Sequence, residues 1–349
     1  MKKIRVLVID DSAFMRKMIA DILESADHIL VVATARNGVD GLEKARKHAP
    51  DVITLDVEMP EMDGISTLTR IMKEMPTPVV MLSSLTKDGA AKTVQAISKG
   101  AVDFIAKPSG SISLDIAKIK EEIISKVIAA ANVKLQTAKP KQNDLSRILP
   151  KQQNKQFSKS IVAIGTSTGG PRAIQRVLTE LPKNIAAPVV IVQHMPAGFT
   201  RSLADRLNSL TQVRVKEATH GEILHNGTVY IAPGDYHMRI RQVGTTYAIE
   251  LSQDALISGH RPSVDVLFES ISTLTKLNKI AIVLTGMGSD GANSIKLMKE
   301  KDPNTVIIAE SEESAVVYGM PKAAVKTNSV NYIVHLHQIG ETICKLLPE

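Results

Sequence analysis

The chain has 349 residues, 44% of them hydrophobic, which is enough for two packed domains rather than one. A single cysteine, Cys344, excludes a disulfide framework and a structural zinc site built from cysteines, and it fits a reducing compartment. The opening apolar run ends at Asp10, too soon for a signal peptide, and no apolar run approaches the roughly 20 residues of a membrane helix. We therefore expect a cytoplasmic protein that does not insert into a membrane.

The net charge of +7 is concentrated in one segment. Residues 131–159 carry seven Lys and Arg against one acid, whereas residues 1–130 are neutral overall. This segment is rich in Lys and Gln, contains two prolines and has no sustained periodicity, which is typical of a linker. We predict a first domain at residues 1–125, a basic flexible linker at 126–159 and a second domain at 160–349. Neither domain has the basic excess of a nucleic-acid-binding protein, so we expect no nucleic-acid partner.

Short β-branched runs alternate with helical patterns in the first domain. The predicted helices are residues 13–25, 38–48 and 65–75, and the predicted strands are IRVLVID, LVVATA, DVITLD, PVVMLSS and DFIAKP. This alternation predicts an α/β domain with a doubly wound parallel sheet, in which ligands bind at the carboxyl ends of the strands.

Charged residues stand where three of these strands end. Asp10 and Asp11 follow the first strand, Asp56 ends the third and Lys107 follows the fifth. Converging carboxylates repel one another, and Mg²⁺, which prefers oxygen ligands, relieves that repulsion. A lysine at the same edge is suited to pair with a phosphoryl oxygen. A magnesium-dependent hydrolase is the competing interpretation, but this domain lacks an obvious histidine partner for it.

The acid pair, the segment LDVEMPEMDG, the hydroxyl of MLSS and the dipeptide KP resemble the receiver domain of bacterial response regulators over residues 1 to about 125. That resemblance implies a flavodoxin-like fold. It also implies that Asp56 accepts a phosphoryl group and that Mg²⁺ is held by Asp11, Asp56 and the main-chain carbonyl of Glu58, with Asp10 helping through water. The implied switch residues are Ser83, which follows the phosphoryl group, Phe104, which repacks, and Lys107, which pairs with the phosphoryl oxygens.

The second domain begins with a strand that runs into the glycine-rich turn GTSTGGP, residues 165–171. A phosphate-binding Walker loop needs a lysine where Pro171 stands, and the dinucleotide fingerprint needs a glycine where Ser167 stands. Residues 165–169 instead match G-x-S-x-G, a strand-to-helix turn that presents a serine above a sheet. Ser167 is therefore a candidate nucleophile, and the amide of Thr168 is a candidate oxyanion donor.

Two further strand ends carry the residues that a serine nucleophile needs. His194 follows the run PVVIVQ, and Asp290 lies in the glycine-rich turn after KIAIVLT. If these strands are parallel neighbours, their carboxyl ends bring Ser167, His194 and Asp290 to one crevice as nucleophile, base and orienting acid. Their order along the chain differs from that of α/β-hydrolases. Three other histidines, His220, His225 and His237, occur among turns and short strands, and we expect them to face solvent.

The segment GHRPSVDVLFES places His260, Arg261 and Ser263 just before a predicted helix near Asp265. Two interpretations stay open for these residues. One is a helix cap with ordinary polar groups. The other is a contact to a substrate carboxylate, or to the rim of the active site, made by His260 and Arg261.

Five motifs, GTSTGGP, QHMPAGF, APGDYHM, SGHRPSVDVLF and LTGMGSDG, resemble in order the catalytic domain of the chemotaxis protein-glutamate methylesterase family. The resemblance implies a Rossmann-like α/β domain in which Ser167, His194 and Asp290 are the triad and the Met287 segment lines the oxyanion side. It implies that the enzyme hydrolyses glutamyl methyl esters, and deamidates glutamines, on chemoreceptors. The phosphodonor would be the chemotaxis histidine kinase, and no cofactor would serve the esterase reaction.

Two other functional classes stay open at this point. The second domain could be a non-enzymatic output domain that binds protein or nucleic acid. It could also be a nucleotide-binding oxidoreductase or kinase, although the missing lysine and the broken fingerprint count against that class.

Overall fold

A computed structural model describes residues 2–107, 116–133 and 157–348, with side chains from residue 120 onward in the second range. The chain divides into two compact units, Met1–Leu135 and Gln136–Glu349. Residues 134–156, which include most of the predicted linker, lie outside the described residues. A helix extends to Ala131, six residues into the segment that the sequence assigns to the linker. The proposed domain boundaries therefore stay predictions.

The first unit contains one parallel sheet with the strand order β2-β1-β3-β4-β5. Its described elements are, in chain order, β1 (Ile4–Ile9), α1 (Ala13–Glu24), β2 (Ile29–Ala35), α2 (Gly38–His48), β3 (Val52–Asp56), α3 (Gly64–Glu74), β4 (Val79–Ser83), α4 (Lys87–Ser98), β5 (Asp103–Ala106) and α5 (Ile116–Ala131). The predicted strands and helices of this unit are confirmed, with ends that move by one or two residues. The strand order reverses between β1 and β3, so their carboxyl ends border one crevice.

Side-chain caps define where the first four helices begin. The side chains of Ser12, Asn37, Asp63 and Thr86 each accept a hydrogen bond from the backbone amide three residues later. These bonds, 2.7–3.3 Å long, satisfy amides that have no partner inside the helix. Three of these helices, α1, α2 and α4, start within four residues of the end of the preceding strand, whereas α3 starts eight residues after Asp56 at the end of β3.

The second unit contains a parallel sheet with the order β14-β13-β12-β6-β7-β9-β8 and a separate antiparallel hairpin, β10-β11. Its described elements are, in chain order, β6 (Ser160–Thr166), α6 (Gly170–Thr179), β7 (Val189–Gln193), α7 (Phe199–Leu210), β8 (Arg214–Glu217), β9 (Thr228–Ile231), β10 (His237–Val243), β11 (Thr246–Ser252), α8 (Val264–Ser272), β12 (Asn278–Val283), α9 (Ala292–Lys301), β13 (Val306–Glu310), α10 (Met320–Lys326), β14 (Tyr332–Val334) and α11 (Leu336–Leu346). The predicted class, two doubly wound α/β domains with parallel sheets, is confirmed.

Burial in the second sheet follows the positions of its strands. Every residue of β6, β7 and β13 is buried, because these strands are apolar runs covered on both faces, whereas the edge strands β8 and β14 are partly exposed. After β6 the chain builds one side of the sheet through β7, β9 and β8, and it then returns to the other side at β12. The carboxyl ends of β6, β7 and β12 therefore meet at the topological switch point, where α/β sheets bind ligands.

None of the helices in the described part of the chain combines the length and the apolar character that crossing a bilayer requires.

Candidate active site and phosphorylation site

The turn after β6 holds Ser167 rigidly through its main chain. The amide of Ser167 donates to the carbonyl of Thr285 over 3.1 Å, and its carbonyl accepts from Gln193 Nε2 over 3.0 Å and from the amide of Gly170 over 2.8 Å. Gly169 has φ of +77°, a left-handed conformation that favours glycine, and it lets α6 begin directly after the serine. Ser167 is thus a partly exposed side chain on a fixed strand-to-helix turn.

His194 lies beside Ser167 because the strands that precede them are paired. Thr166 on β6 is the register partner of Gln193 on β7, so the next residues are Ser167 and His194, and the amide of His194 donates to the carbonyl of Thr166 over 3.2 Å. The side chain of His194 is only 7% exposed. Its Nε2 lies 2.8 Å from Oδ2 of Asp290, while Nδ1 is buried without a hydrogen-bond partner among the described residues. Nδ1 is therefore the nitrogen left to accept a proton.

Asp290 is the most heavily hydrogen-bonded of the three residues. Its Oδ2 accepts from His194 and from the amide of Val264 over 2.7 Å, and its Oδ1 accepts from Ser263 Oγ over 2.9 Å and from the amide of Asp265 over 3.0 Å. Burial alone would raise the pKa of Asp290, but these hydrogen bonds outweigh it and lower the pKa to about 2. The carboxylate is ionised at neutral pH and holds His194 with its proton on Nε2.

Two of the four groups that donate to Asp290 are amides in the first turn of α8, and a side chain of α8 in turn binds the start of α9. Asp265, in that first turn, accepts through Oδ1 from the amide and the hydroxyl of Ser294 in α9, over 3.0 and 2.7 Å. Asp290, in the loop before α9, therefore caps α8, and Asp265 of α8 caps α9. The position of the candidate acid is fixed by two helix ends at once.

The two residues that the sequence assigns to the substrate side have different surroundings. The ring of His260 stacks on that of His194, with centroids 3.8 Å apart and planes 12° from parallel. The guanidinium of Arg261 binds Asp235 through Nε over 3.1 Å, and the carbonyls of Gln253 and Asp254 over 2.9 and 2.8 Å. Arg261 thus connects the loop segments that carry Asp235, Gln253 and Asp254. These bonds do not support the predicted contact of Arg261 with substrate.

The remaining predicted residues of this site have simpler environments. Thr168 is buried, and its carbonyl accepts from Thr285 Oγ1 over 2.9 Å. Met287 is partly exposed in the loop after β12. Their oxyanion roles stay predictions. Among the rival histidines, His220 and His225 are exposed as expected, but the expectation for His237 was wrong. His237 starts β10, is fully buried and places Nε2 3.0 Å from the carbonyl of Ala255.

In the first unit, the carboxylates of Asp10, Asp11 and Asp56 come together at the switch point of the sheet, with ligand atoms within 4.8 Å of one another. Lys107 Nζ lies 2.9 Å from Asp10 and 2.7 Å from Asp56. Burial raises the pKa of Asp56 to about 6; Lys107 opposes this shift and the charge of Asp10 adds to it. An oxygen-only cluster of three carboxylates fits a magnesium ion.

Glu58, the fourth residue predicted for this cluster, approaches it through its backbone amide. Its carboxylate pairs with Lys92 over 2.8 Å, and its amide approaches Asp56 Oδ1 at 3.4 Å. This arrangement agrees with the prediction, which used the carbonyl of Glu58 rather than its side chain, but the described contacts do not test that ligand role.

The predicted switch residues lie on the neighbouring strands. Ser83 is buried at the end of β4, and its carbonyl accepts from the amide of Lys107 over 2.7 Å, so both residues border the acid cluster. Phe104 is 3% exposed, and Lys126 Nζ lies 5.0 Å from the centroid of its ring. The phenyl ring is therefore packed inward in this structure, held in part by a cation–π contact with α5. Pro108, the second residue of the KP motif, lies outside the described residues.

Comparison with known proteins identifies the second unit. Residues 162–343, more than half of the chain, match the family described as CheB methylesterase. The chain belongs to the CheB methylesterase family. Residues 6–118 also match the response regulator receiver domain, so the resemblance of the first half is confirmed.

Curated relatives match this CheB methylesterase family member over nearly its whole length. A protein-glutamate methylesterase/protein-glutamine glutaminase of Oceanobacillus iheyensis is 56% identical and covers 99% of this chain and all of its own. A protein of the same name from Bacillus subtilis is 49% identical and covers 97% of each chain. The crystal structure of the Thermotoga maritima CheB methylesterase catalytic domain, 41% identical, covers 54% of this chain and all of its own with a TM-score of 0.52. A non-enzymatic output domain is not favoured by these relatives.

Sequence reasoning missed a group of buried polar residues behind Ser167. Glu310, fully buried at the end of β13, accepts from the amide of Thr285 over 2.8 Å and from Ser314 Oγ over 3.0 Å. The carbonyl of Thr285 in turn accepts from the amide of Ser167 and from Thr166 Oγ1. Burial raises the pKa of Glu310 to about 7. A polar residue at the end of an otherwise apolar strand, as in VIIAE, is the signal that could have found it.

Proposed function

We propose that Ser167, His194 and Asp290 form the catalytic triad of a receptor-modifying esterase that hydrolyses glutamyl methyl esters and deamidates glutamines. The observation that carries the proposal is the position of Ser167 and His194 after paired strands, with His194 Nε2 bonded to Asp290 at 2.8 Å. The full-length relatives with this activity in their names supply the substrate class.

In this reaction Ser167 Oγ attacks the γ-carbonyl carbon of a methyl-esterified glutamate, and His194 Nδ1 takes the hydroxyl proton. The tetrahedral intermediate expels methanol, which receives that proton from His194, and a glutamyl ester of Ser167 remains. Water then attacks the ester, with His194 again as base, and releases the glutamate side chain and the free serine. An amide substrate follows the same steps and releases ammonia instead of methanol. None of these steps uses a cofactor.

Asp290 keeps the ring of His194 in the tautomer that this chemistry needs. With its proton on Nε2 and held by a carboxylate whose pKa is about 2, the imidazole presents an unprotonated Nδ1 to the serine. The same carboxylate stabilises the imidazolium that forms while the proton is in transit. We place the oxyanion near the amide of Thr168 and the Met287 segment, next to the N-terminus of α6.

We infer that the first unit controls the esterase through phosphorylation of Asp56 by a histidine kinase. Asp10, Asp11, Asp56 and the carbonyl of Glu58 would hold Mg²⁺, which neutralises charge during phosphoryl transfer. Lys107 already contacts Asp10 and Asp56 and is placed to pair with a phosphoryl oxygen on Asp56. Ser83 and Phe104 respond to the modification, and the unphosphorylated receiver lowers access of receptors to the catalytic crevice. We expect the chain to bind both partners, the histidine kinase and the chemoreceptors, in the cytoplasm.

The decisive experiment measures methanol release from membranes that contain methylated chemoreceptors, with and without a small phosphodonor such as acetyl phosphate. We expect the wild-type chain to release methanol faster when the phosphodonor is present, and a Ser167→Ala chain to lose at least about 10³-fold in rate. Methanol release by Ser167→Ala at the wild-type rate would contradict the assignment of the nucleophile.

The regulatory part of the proposal has its own test. A chain that lacks residues 1–150 is compared with the unphosphorylated full chain in the same assay. Inhibition by the receiver predicts that the shortened chain is faster. Equal or lower activity, with an unchanged thermal transition of the catalytic unit, would show that the receiver does not limit access.

A further inference from the structure

His260 covers one face of the imidazole that serves as the proposed base. The centroids of the two rings are 3.8 Å apart and their planes differ by 12°, which is van der Waals contact over the whole ring. Asp290 contacts the edge of the His194 ring at Nε2, and His260 contacts its face. These two contacts constrain different motions of the ring.

The bond to Asp290 holds Nε2, but changes in the side-chain torsions of His194 can still rotate the ring plane through a limited angle. Such a rotation would swing Nδ1 away from the serine while the 2.8 Å bond persists. A flat ring stacked on one face opposes that rotation, because the two planes would have to separate. Stacking therefore supplies the orientation that a single hydrogen bond lacks.

The backbone around His260 is built to hold its ring still. Ile257 and His260 exchange both main-chain hydrogen bonds, over 3.1 and 2.9 Å, and close a two-residue turn. Ser258 and Gly259, the central residues of this turn, have φ of +51° and +81°, as in a type I′ turn. The base of the loop is then tied by Arg261, which donates to two of its carbonyls.

One short segment consequently supports both partners of the serine. His260 stacks on the base, while Ser263 and the amides of Val264 and Asp265 bind the acid. The residues that contact the base and those that bind the acid thus lie within six consecutive positions, 260–265.

We propose that His260 is a positioning residue, which holds the plane of the His194 imidazole by stacking and thereby aims Nδ1 at Ser167. This role differs from the substrate contact that the sequence suggests for His260, and it rests on the proposed roles of Ser167 and His194. It requires an aromatic ring at position 260 but not a proton-carrying one.

The test compares His260→Phe, which keeps a stacking ring, with His260→Ala, which does not, in the full-length chain. The probe is a fluorophosphonate, which reports on Ser167 without any receptor. Ser167 Oγ forms a bond to phosphorus, fluoride leaves with the bonding electrons, and His194 takes the hydroxyl proton. We expect His260→Ala to slow labelling roughly 10- to 100-fold, as misplacement of a reacting group does, and His260→Phe to remain within about threefold of wild type.

Receptor methanol release gives a second measurement. We expect His260→Ala to lower kcat and leave KM unchanged, because the substrate is not contacted. Leu256→Ser, an exposed residue of the same loop, is the matched control and should match wild type. If His260→Ala fails to fold, judged by its thermal transition, His260→Gln replaces it and is expected to be slow.

Two results would overturn the inference. If the non-aromatic variant at position 260 is labelled at the wild-type rate, stacking of His260 on His194 has no role in positioning the base. A His260→Phe chain as slow as the non-aromatic one would show that the imidazole itself acts on substrate or proton. Failure of receptor methanol release in the wild-type chain, with the labelling pattern intact, would contradict only the proposed substrate. Labelling of Ser167→Ala at the wild-type rate would contradict the proposed nucleophile.

Discussion

Asp290 binds the first turn of α8, the helix that carries Asp265. Asp265 in turn binds the first turn of α9, the helix that follows Asp290. Asp290 accepts from the amides of Val264 and Asp265 at the start of α8, and Asp265 accepts from the amide and hydroxyl of Ser294 at the start of α9. The proposed orienting acid is therefore also a structural residue. Changes to it are expected to affect stability and rate together.

Asp290→Asn tests this double role. The asparagine side chain has one oxygen, whereas the carboxylate offers two oxygens to its four donors, and the NH₂ group would face donors without being able to accept from them. We therefore expect a loss of activity of about 10³- to 10⁴-fold and a lower thermal transition. The measurements are fluorophosphonate labelling of Ser167 and differential scanning calorimetry of the full chain. Asp254→Asn, an exposed acid on the same unit, is the control. An Asn variant with wild-type labelling would refute the assignment of the acid.

Ser263→Ala removes one of the four hydrogen bonds to Asp290 and leaves the other three. The hydroxyl is fully buried and lies 2.9 Å from Oδ1, so we expect the free energy of unfolding to fall by about 1–3 kcal/mol. Activity should fall much less than in Asp290→Asn, because the bond to His194 remains. Chemical denaturation and labelling rates check both parts. A rate loss as large as that of the Asn variant would mean that the hydroxyl, not the amides, places the acid.

Gly286→Ala tests how closely the loop after β12 approaches the nucleophile. A Cβ at position 286 would collide with Met320 Sδ and would also lie 2.9 Å from the Cβ of Ser167, closer than side-chain carbons pack. We expect the serine turn to shift and the labelling rate to fall by roughly 100-fold. Ser289→Ala, an exposed residue three positions further along the same loop, should label like wild type. Unchanged labelling in Gly286→Ala would show that the structure accommodates the methyl group without changing the reactivity of Ser167.

Glu310 makes the stability of the catalytic unit depend on pH. Folded, this buried carboxyl keeps its proton up to about pH 7, whereas its ordinary pKa is 4.5. Between these values the unfolded chain binds fewer protons, so the free energy of unfolding decreases as pH rises, by roughly 3 kcal/mol in all. Glu310→Gln should remove this slope, measured as the difference in unfolding free energy between pH 4.5 and 8. The exposed neighbour Glu312→Gln is the control and should retain it.

Asp56→Asn tests the phosphorylation site. We expect the variant to incorporate no phosphoryl group from acetyl phosphate and to show no activation of methanol release, while fluorophosphonate labelling of the unphosphorylated chain is unchanged. Chelation of magnesium by EDTA should block incorporation in the wild type in the same way. Asp63→Asn, a neighbouring acid that caps α3, is the control. Activation that survives in Asp56→Asn would place the modification elsewhere.

Topology accounts for what the sequence could predict. Ser167, His194 and Asp56 end or follow buried apolar strands, and in a parallel sheet such positions converge. Recognising the alternation of strands and helices was therefore enough to bring distant candidates to one edge. The doubly wound class followed from the same pattern.

Other features depend on loop geometry that periodicity does not encode. Which nitrogen of His194 faces the serine is set by where the loop after β12 carries Asp290, and the stacking of His260 is set by a turn with two positive φ angles. The expectation for His237 was wrong for a related reason, since a polar residue near a strand end can bond to a main-chain carbonyl instead of facing solvent. Patterns of hydrophobicity locate strand ends but not the partners that close a loop.

The capping of two helices by Asp290 and Asp265 has a consequence for the origin of catalytic power. A site whose acid is ordered only by substrate would have to reorganise its dipoles in every turnover. Here the carboxylate, the amides around it and the imidazole bonded to it are aligned once, when α8 and α9 fold. For the proposed triad, the electrostatic environment of the transition state is thus present before substrate binds, and the substrate has only to deliver a carbonyl to it.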